Sequence, residues 1–159
     1  MDKPEEHINL LVVDDEKHIR RLLEKELSSP RRQITTAGDA QTALAAVQKT
    51  RFDVIILDIM LPDGNGIELM ARFQEEILAV QIILITGYAD VDDAVLSMKA
   101  GACDYITKPF DLWDVRKIVE RGLESRRLVL ENRRLLHDLK EANVVLRRHE
   151  EQLTEEVRS

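Results

Sequence analysis

Apolar residues cluster along the chain in two alternating rhythms. Unbroken runs of strand length fall at Leu10–Val13, Val54–Leu57 and Ile82–Ile85, with weaker ones at Gln33–Ala37 and Cys103–Thr107. Between them the spacing is helical: Ile19, Leu22, Leu23 and Leu27; Ala43, Leu44 and Val47; Ile67, Met70 and Phe73; Ala94, Val95 and Met98. Asp39 and Asp111 stand where helix N-caps belong, and Gly101 where a helix should stop. Five strands alternating with helices predict an α/β chain with a mostly parallel sheet covered on both faces. Strands one, three and four, rich in Val, Ile and Leu without alternation, belong in its buried middle. Short connections and crossovers of one hand leave the doubly wound order 2-1-3-4-5 as the natural topology.

That topology decides where the polar residues go. All strand C-termini of a parallel sheet share one edge, and ligands bind where the strand order reverses. Strand one ends in Asp14 and Asp15, strand three in Asp58, strand four in Thr86 and strand five in Lys108. Like-charged carboxylates about 4 Å apart repel by roughly 4 kcal/mol per pair at an effective dielectric near 20. A divalent cation relieves that repulsion, and an all-oxygen set with room for water suits Mg²⁺. The four histidines are scattered and Cys103 is alone, so zinc has no support. Open metal positions suit phosphate oxygens, with Lys108 as a point charge and the Thr86 hydroxyl as a donor. Asp58, single at the end of the central strand, is the candidate nucleophile for an aspartyl phosphate.

The segments "LLVVDDE", "VIILDIMLPDGNG", "IILITGYAD" and "GACDYITKPF" together resemble the receiver domain of two-component response regulators, a flavodoxin-like fold, over about residues 8 to 121. "ITGYAD" with "KAGACDYITKPF" is most similar to NtrC-type receivers. The resemblance implies that Asp58 is the phosphoacceptor and a sensor histidine kinase its donor. It implies Mg²⁺ on Asp15, Asp58 and the backbone carbonyl of Met60, with Asp14 acting through water, and a cis bond between Lys108 and Pro109. It also implies a switch in which Thr86 moves toward the phosphoryl group and Tyr105 fills the vacated space, altering helix four, strand five and helix five. Met60 and Tyr88 flank the entrance and would tune the phosphate's lifetime. Such a domain is not an enzyme beyond self-catalysed phosphotransfer and autodephosphorylation.

Two other functions fit parts of the pattern. An aspartyl-nucleophile phosphatase or phosphotransferase would want a second acid two positions after Asp58, where Met60 stands. A nucleotide- or flavin-binding module would want a glycine-rich first loop in place of Asp14–Asp15–Glu16.

Beyond Asp111 no proline interrupts the chain. Leu139, Leu146 and Leu153 repeat every seven residues, with Val129, Leu136, Asn143 and Val157 on the companion position and Glu150 interrupting. This predicts a coiled coil, and Asn143 in its core favours a parallel homodimer. An alternative register uses Leu128, Leu135 and Ala142, so the seam stays open. The expected division is a receiver over residues 1–122 and a helical linker over 123–159. The linker resembles NtrC-type linkers at "LENRRLLHDL" and then signalling helices, so an output domain is expected beyond this chain.

Charge and cysteine usage narrow the setting. The net −7 resides wholly in residues 1–110, since residues 111–159 balance eleven acids against eleven bases. No basic footprint for nucleic acid is present, and direct DNA contact by this segment is not expected. No apolar run of membrane length occurs, MDKPEEH is unlike a signal peptide, and Cys103 has no partner, so a cytoplasmic setting is expected.

Overall fold

The structure is a computed structural model, described over residues 7–87 and 91–158. The elements are β1 (Ile8–Val13), α1 (Lys17–Leu27), β2 (Arg32–Ala37), α2 (Ala40–Lys49), β3 (Val54–Asp58), β4 (Met60–Leu61), β5 (Gly64–Asn65), α3 (Gly66–Glu76), β6 (Gln81–Thr86), α4 (Val91–Lys99), β7 (Asp104–Thr107) and α5 (Leu112–Arg158). The main sheet is all parallel with order β2-β1-β3-β6-β7, which is the expected 2-1-3-4-5 once the hairpin β4–β5 is set aside. That antiparallel hairpin is the one element the apolar pattern does not announce.

Alternate side chains of the middle strands feed two cores. Leu11, Val13, Ile55, Leu57, Ile82 and Leu84 pack with Ala43 of α2 and Leu69, Met70 and Phe73 of α3. Leu10, Val12, Val54, Ile56, Ile83 and Ile85 pack with Ile19, Leu23 and Leu27 of α1 and Val115 and Val119 of α5. A strand buried on both faces has no position to spare for a polar residue, which explains its unbroken apolar run. All five residues of β3 are buried, the last of them Asp58.

The helix ends follow the expected chemistry. The Asp39 side chain accepts the Thr42 N–H at 2.7 Å, and Asp111 accepts the Trp113 N–H at 2.8 Å. Gly101 ends α4 at φ +103°, a conformation that favours glycine over any residue with a Cβ. At the amino edge of the sheet, Asp53 accepts the Asn9 N–H at 2.8 Å and pairs with Arg126 at 2.9 Å.

The chain divides into two compact units, one ending at Arg126 and one from Arg127 onward. The second is helical throughout its described residues and exposes Leu128, Leu135, Leu136, Leu139, Leu146 and Leu153. No helix among the described residues is long and apolar enough to cross a membrane.

Candidate functional site

β1 and β3 are direct neighbours with Val13 opposite Leu57, so the residues that follow them emerge side by side at the carboxyl edge. Asp14, Asp15 and Asp58 there each offer a carboxylate oxygen within 4.8 Å of the others. Asp14 and Asp58 are buried, whereas Asp15 is exposed. β7 delivers Lys108 from the far side: its backbone N–H donates to the Thr86 carbonyl at 2.8 Å, and its Nζ lies 2.8 Å from Asp14 Oδ2 and 3.1 Å from Asp58 Oδ2. The Lys108–Pro109 peptide is cis, as the resemblance implied.

Asp58 divides its acceptors. Oδ2 faces Lys108, while Oδ1 accepts the Met60 N–H at 3.0 Å. Asp14 is held by its first oxygen, which accepts the Glu16 N–H at 2.9 Å, and by its main-chain carbonyl, which accepts from Arg20 at 2.7 Å. Its buried Oδ2 sits in the ion pair with Lys108 but receives no well-directed hydrogen bond. Burial pushes the Asp14 carboxyl above its usual range, against Lys108 and the Glu16 N–H and with the help of the Asp58 charge. Burial pulls Lys108 the other way, but Asp14 and Asp58 outweigh it and raise its pKa, so the lysine stays charged.

These observations bear on a metal. An under-satisfied buried oxygen on Asp14, an exposed carboxylate on Asp15 and an acceptor on Asp58, all oxygen donors, fit a hard divalent cation of the Mg²⁺ type. The Lys108 ammonium contacts Asp14 and Asp58, and among the described residues the exposed Asp15 carboxylate lies beside them.

Thr86 is buried at the end of β6, and Asp58 pairs in register with Ile85, one residue earlier. Tyr105 is half-buried against the core cluster on the α2–α3 face. Thr86 pairs with Thr107 and Leu84 with Tyr105, so Thr86 and Tyr105 lie on the same face of adjoining strands. Met60 exposes its side chain at the mouth. Tyr88 lies outside the described residues.

Three participants escape a reading by motif. Glu16 places Oε2 3.5 Å from Lys108 Nζ, a third carboxylate on the same ammonium. Arg20 secures the Asp14 backbone. Gly66, at the start of α3, donates its N–H to the Ile59 carbonyl at 2.7 Å and lies against the backbone of Asp58. Glu16 and Gly66 both lie inside the quoted segments, which signalled their position and not these contacts.

The fold and site define an α/β domain that sets a buried strand-end carboxylate among a lysine and two further acids. Known proteins place that class. The response regulator receiver domain matches residues 10–120, and the chain belongs to that family. DctD of Pseudomonas aeruginosa, a C4-dicarboxylate transport transcriptional regulatory protein, is 39% identical over 126 residues, covering 79% of this chain and 27% of its own. TcrX of Mycobacterium tuberculosis, a probable transcriptional regulatory protein, is 37% identical over 108 residues, 68% of this chain and 46% of its own. The structure of NtrX from Brucella abortus in complex with ATP has a TM-score of 0.76 at 33% identity, over 81% of this chain and 30% of that one. A CheY-like receiver from Methanospirillum hungatei has a TM-score of 0.71 at 29% identity, over 76% and 96% of the two chains. The expected likeness to NtrC-type receivers is borne out by DctD and NtrX. This chain spans less than half the length of those two curated relatives. It is a receiver of two-component signalling, and phosphorylation-dependent signal transduction fits it; the phosphatase and nucleotide-module alternatives are not favoured.

Proposed function

We propose that Asp58 accepts a phosphoryl group from a sensor histidine kinase and thereby switches an output carried beyond this chain. The observation that carries the reading is the placement of Asp58: a charged residue at the end of a wholly buried central strand, shared between Lys108 and the Met60 N–H. In the transfer, an Asp58 carboxylate oxygen bonds to phosphorus as the P–N bond of the donor phosphohistidine breaks. The imidazole nitrogen keeps that electron pair and takes up a proton. Lys108 stays protonated and turns from the carboxylates toward a phosphoryl oxygen.

Asp14, Asp15, Asp58 and the Met60 carbonyl would hold Mg²⁺. When bound, the ion supplies positive charge against the carboxylates and the transferred oxygens. The phosphoryl group adds three strong acceptors, and Thr86 reorients toward one of them. Tyr105, on the same face of the next strand, then repacks, which biases the surface of α4, β7 and the start of α5. That surface already exposes Val95, Leu96, Met98 and Trp113. Residues 123–159 would pass the change on as a parallel coiled-coil homodimer, with the apolar stripe of the helix buried against a second copy.

The test is intact-mass measurement after incubation with acetyl phosphate and Mg²⁺. The native chain should gain roughly 80 Da, as an aspartyl phosphate requires, and Asp58→Asn should gain nothing. Mass gain in both proteins, or in neither, rejects Asp58 as the acceptor. Sedimentation of the chain with and without residues 123–159 tests the dimer, and identical monomeric behaviour ends that part of the reading.

A further inference from the structure

The hairpin β4–β5 carries the backbone that follows Asp58, including Met60, and it is tied down at both ends. At its inner end the Gly66 N–H donates to the Ile59 carbonyl at 2.7 Å, and Asn65 accepts the Ile67 N–H at 2.7 Å to cap α3. At its outer end, Asp63 reaches a different element. Its Oδ1 accepts the Ala40 N–H at 2.7 Å and its Oδ2 the Gln41 N–H at 3.0 Å, so both oxygens engage the first turn of α2.

That attachment is not needed to start α2. The helix has its own cap, Asp39, which accepts the Thr42 N–H. Asp63 takes the two N–H groups that Asp39 leaves, where the helix dipole also favours a carboxylate. The two acids therefore serve the same helix end but differ in reach: Asp39 belongs to α2, whereas Asp63 joins α2 to the loop of the acceptor, 23 residues away in sequence. Gly64 brings the hairpin in closely, with space for a Cβ only 3.6 Å from the Ala40 methyl.

We infer that Asp63 is a positioning residue for the metal site: by fastening the hairpin to α2 it holds the Met60 carbonyl and the Asp58 carboxylate in the relation that Mg²⁺ requires. The inference rests on the proposed function, since it gives Met60 and Asp58 the ligand roles assigned there. Without Asp63 the hairpin loses the two hydrogen bonds that fasten it to the first turn of α2. The Asp58 Oδ1–Met60 N–H bond then carries more of the task of holding acceptor and loop together. A site that must adjust on binding gives up affinity for the ion first, and saturating ion restores the geometry.

The test is calorimetric titration of Mg²⁺ alone into the full chain and into Asp63→Ala, Asp63→Asn and Asp39→Ala. Phosphorylation by acetyl phosphate is followed at low and at saturating Mg²⁺, and thermal unfolding is recorded without metal. Asp63→Ala should weaken Mg²⁺ roughly tenfold, at the low end of what outer-shell partners cost. Its phosphorylation should be slow at low Mg²⁺ and close to native at saturation. Asp63→Asn, which keeps one side-chain acceptor, should fall between and carries the test should the alanine variant not fold. Asp39→Ala should lower thermal stability and leave the Mg²⁺ affinity alone. An unchanged affinity in both Asp63 variants overturns the inference, as does an equal loss in Asp39→Ala, which would trace the effect to the helix. Failure of the native chain itself to bind Mg²⁺ would sink the functional reading, and that result is separable from any behaviour of the variants.

Discussion

Replacing Gly66 by alanine should damage phosphorylation more than it damages folding. A Cβ at that position would overlap the Asp58 carbonyl oxygen and sit 2.7 Å from Ile59 Cα and 3.0 Å from the Asp58 carbonyl carbon. Ordinary contacts between such atoms lie at about 3.5–4.0 Å, so relief needs a displacement near 1 Å. Every obstructing atom is backbone, and no side-chain rotation can provide it. α3 is anchored by buried Leu69, Met70 and Phe73, which leaves the end of β3 and the hairpin to move. Crowding of this kind costs about 1–3 kcal/mol of stability. A shift of about 1 Å at a reacting group can cost on the order of a hundredfold in rate. The assay is the rate of mass gain with acetyl phosphate and Mg²⁺, set beside urea unfolding of the same samples. A rate within twofold of native would refute the reasoning, because the close approach would then place no constraint on Asp58.

The same substitution at Gly122 should have the opposite sign. There a Cβ meets Val54, Cys103 and Gln81 at 3.7–3.8 Å, which is ordinary contact. Alanine gains about 1 kcal/mol of helix propensity plus part of the roughly 0.8 kcal/mol for a buried methyl. Scanning calorimetry should show Tm higher by roughly 3–6 °C, and a lower Tm would contradict the packing described. Cys103 supplies a pH prediction. Burial first, then the Asp104 charge, raises its thiol pKa above the ordinary 9.0. The folded state therefore keeps its proton longer than the unfolded state, so stability should decline as pH rises above about 9, and alkylation at pH 8 should be slow until urea unfolds the chain. A Cys103→Ser variant with the same decline above pH 9 would assign it to another group.

How much of this could be read from the chain differs by element. Val54–Leu57 and Ile82–Ile85 announce themselves because a strand covered on both faces tolerates nothing polar. The edge strand β2, with its two threonines, is only partly covered and reads weakly for the same reason. The strand-end acids and Lys108 were placed by topology, because the sheet order fixes which ends meet. The hairpin was illegible, since two residues per strand leave no period to detect. The hold of Asp63 on α2 and the contact of Glu16 with Lys108 are tertiary, and neither residue type distinguishes them from solvated surface acids. Tyr105 lay between these cases: its strand was visible, and its partner face emerged only from the register with Leu84.

All of the chemistry gathers at one rim of the sheet, whereas the opposite rim holds turns, the Asp53–Arg126 pair and exposed positions such as Arg51 and Leu78. The two rims can therefore be altered independently. A fluorophore or immobilisation tether attached at Arg51 or Leu78 would leave the reacting groups untouched and sit at the rim where Asp53 ties α5 to the sheet.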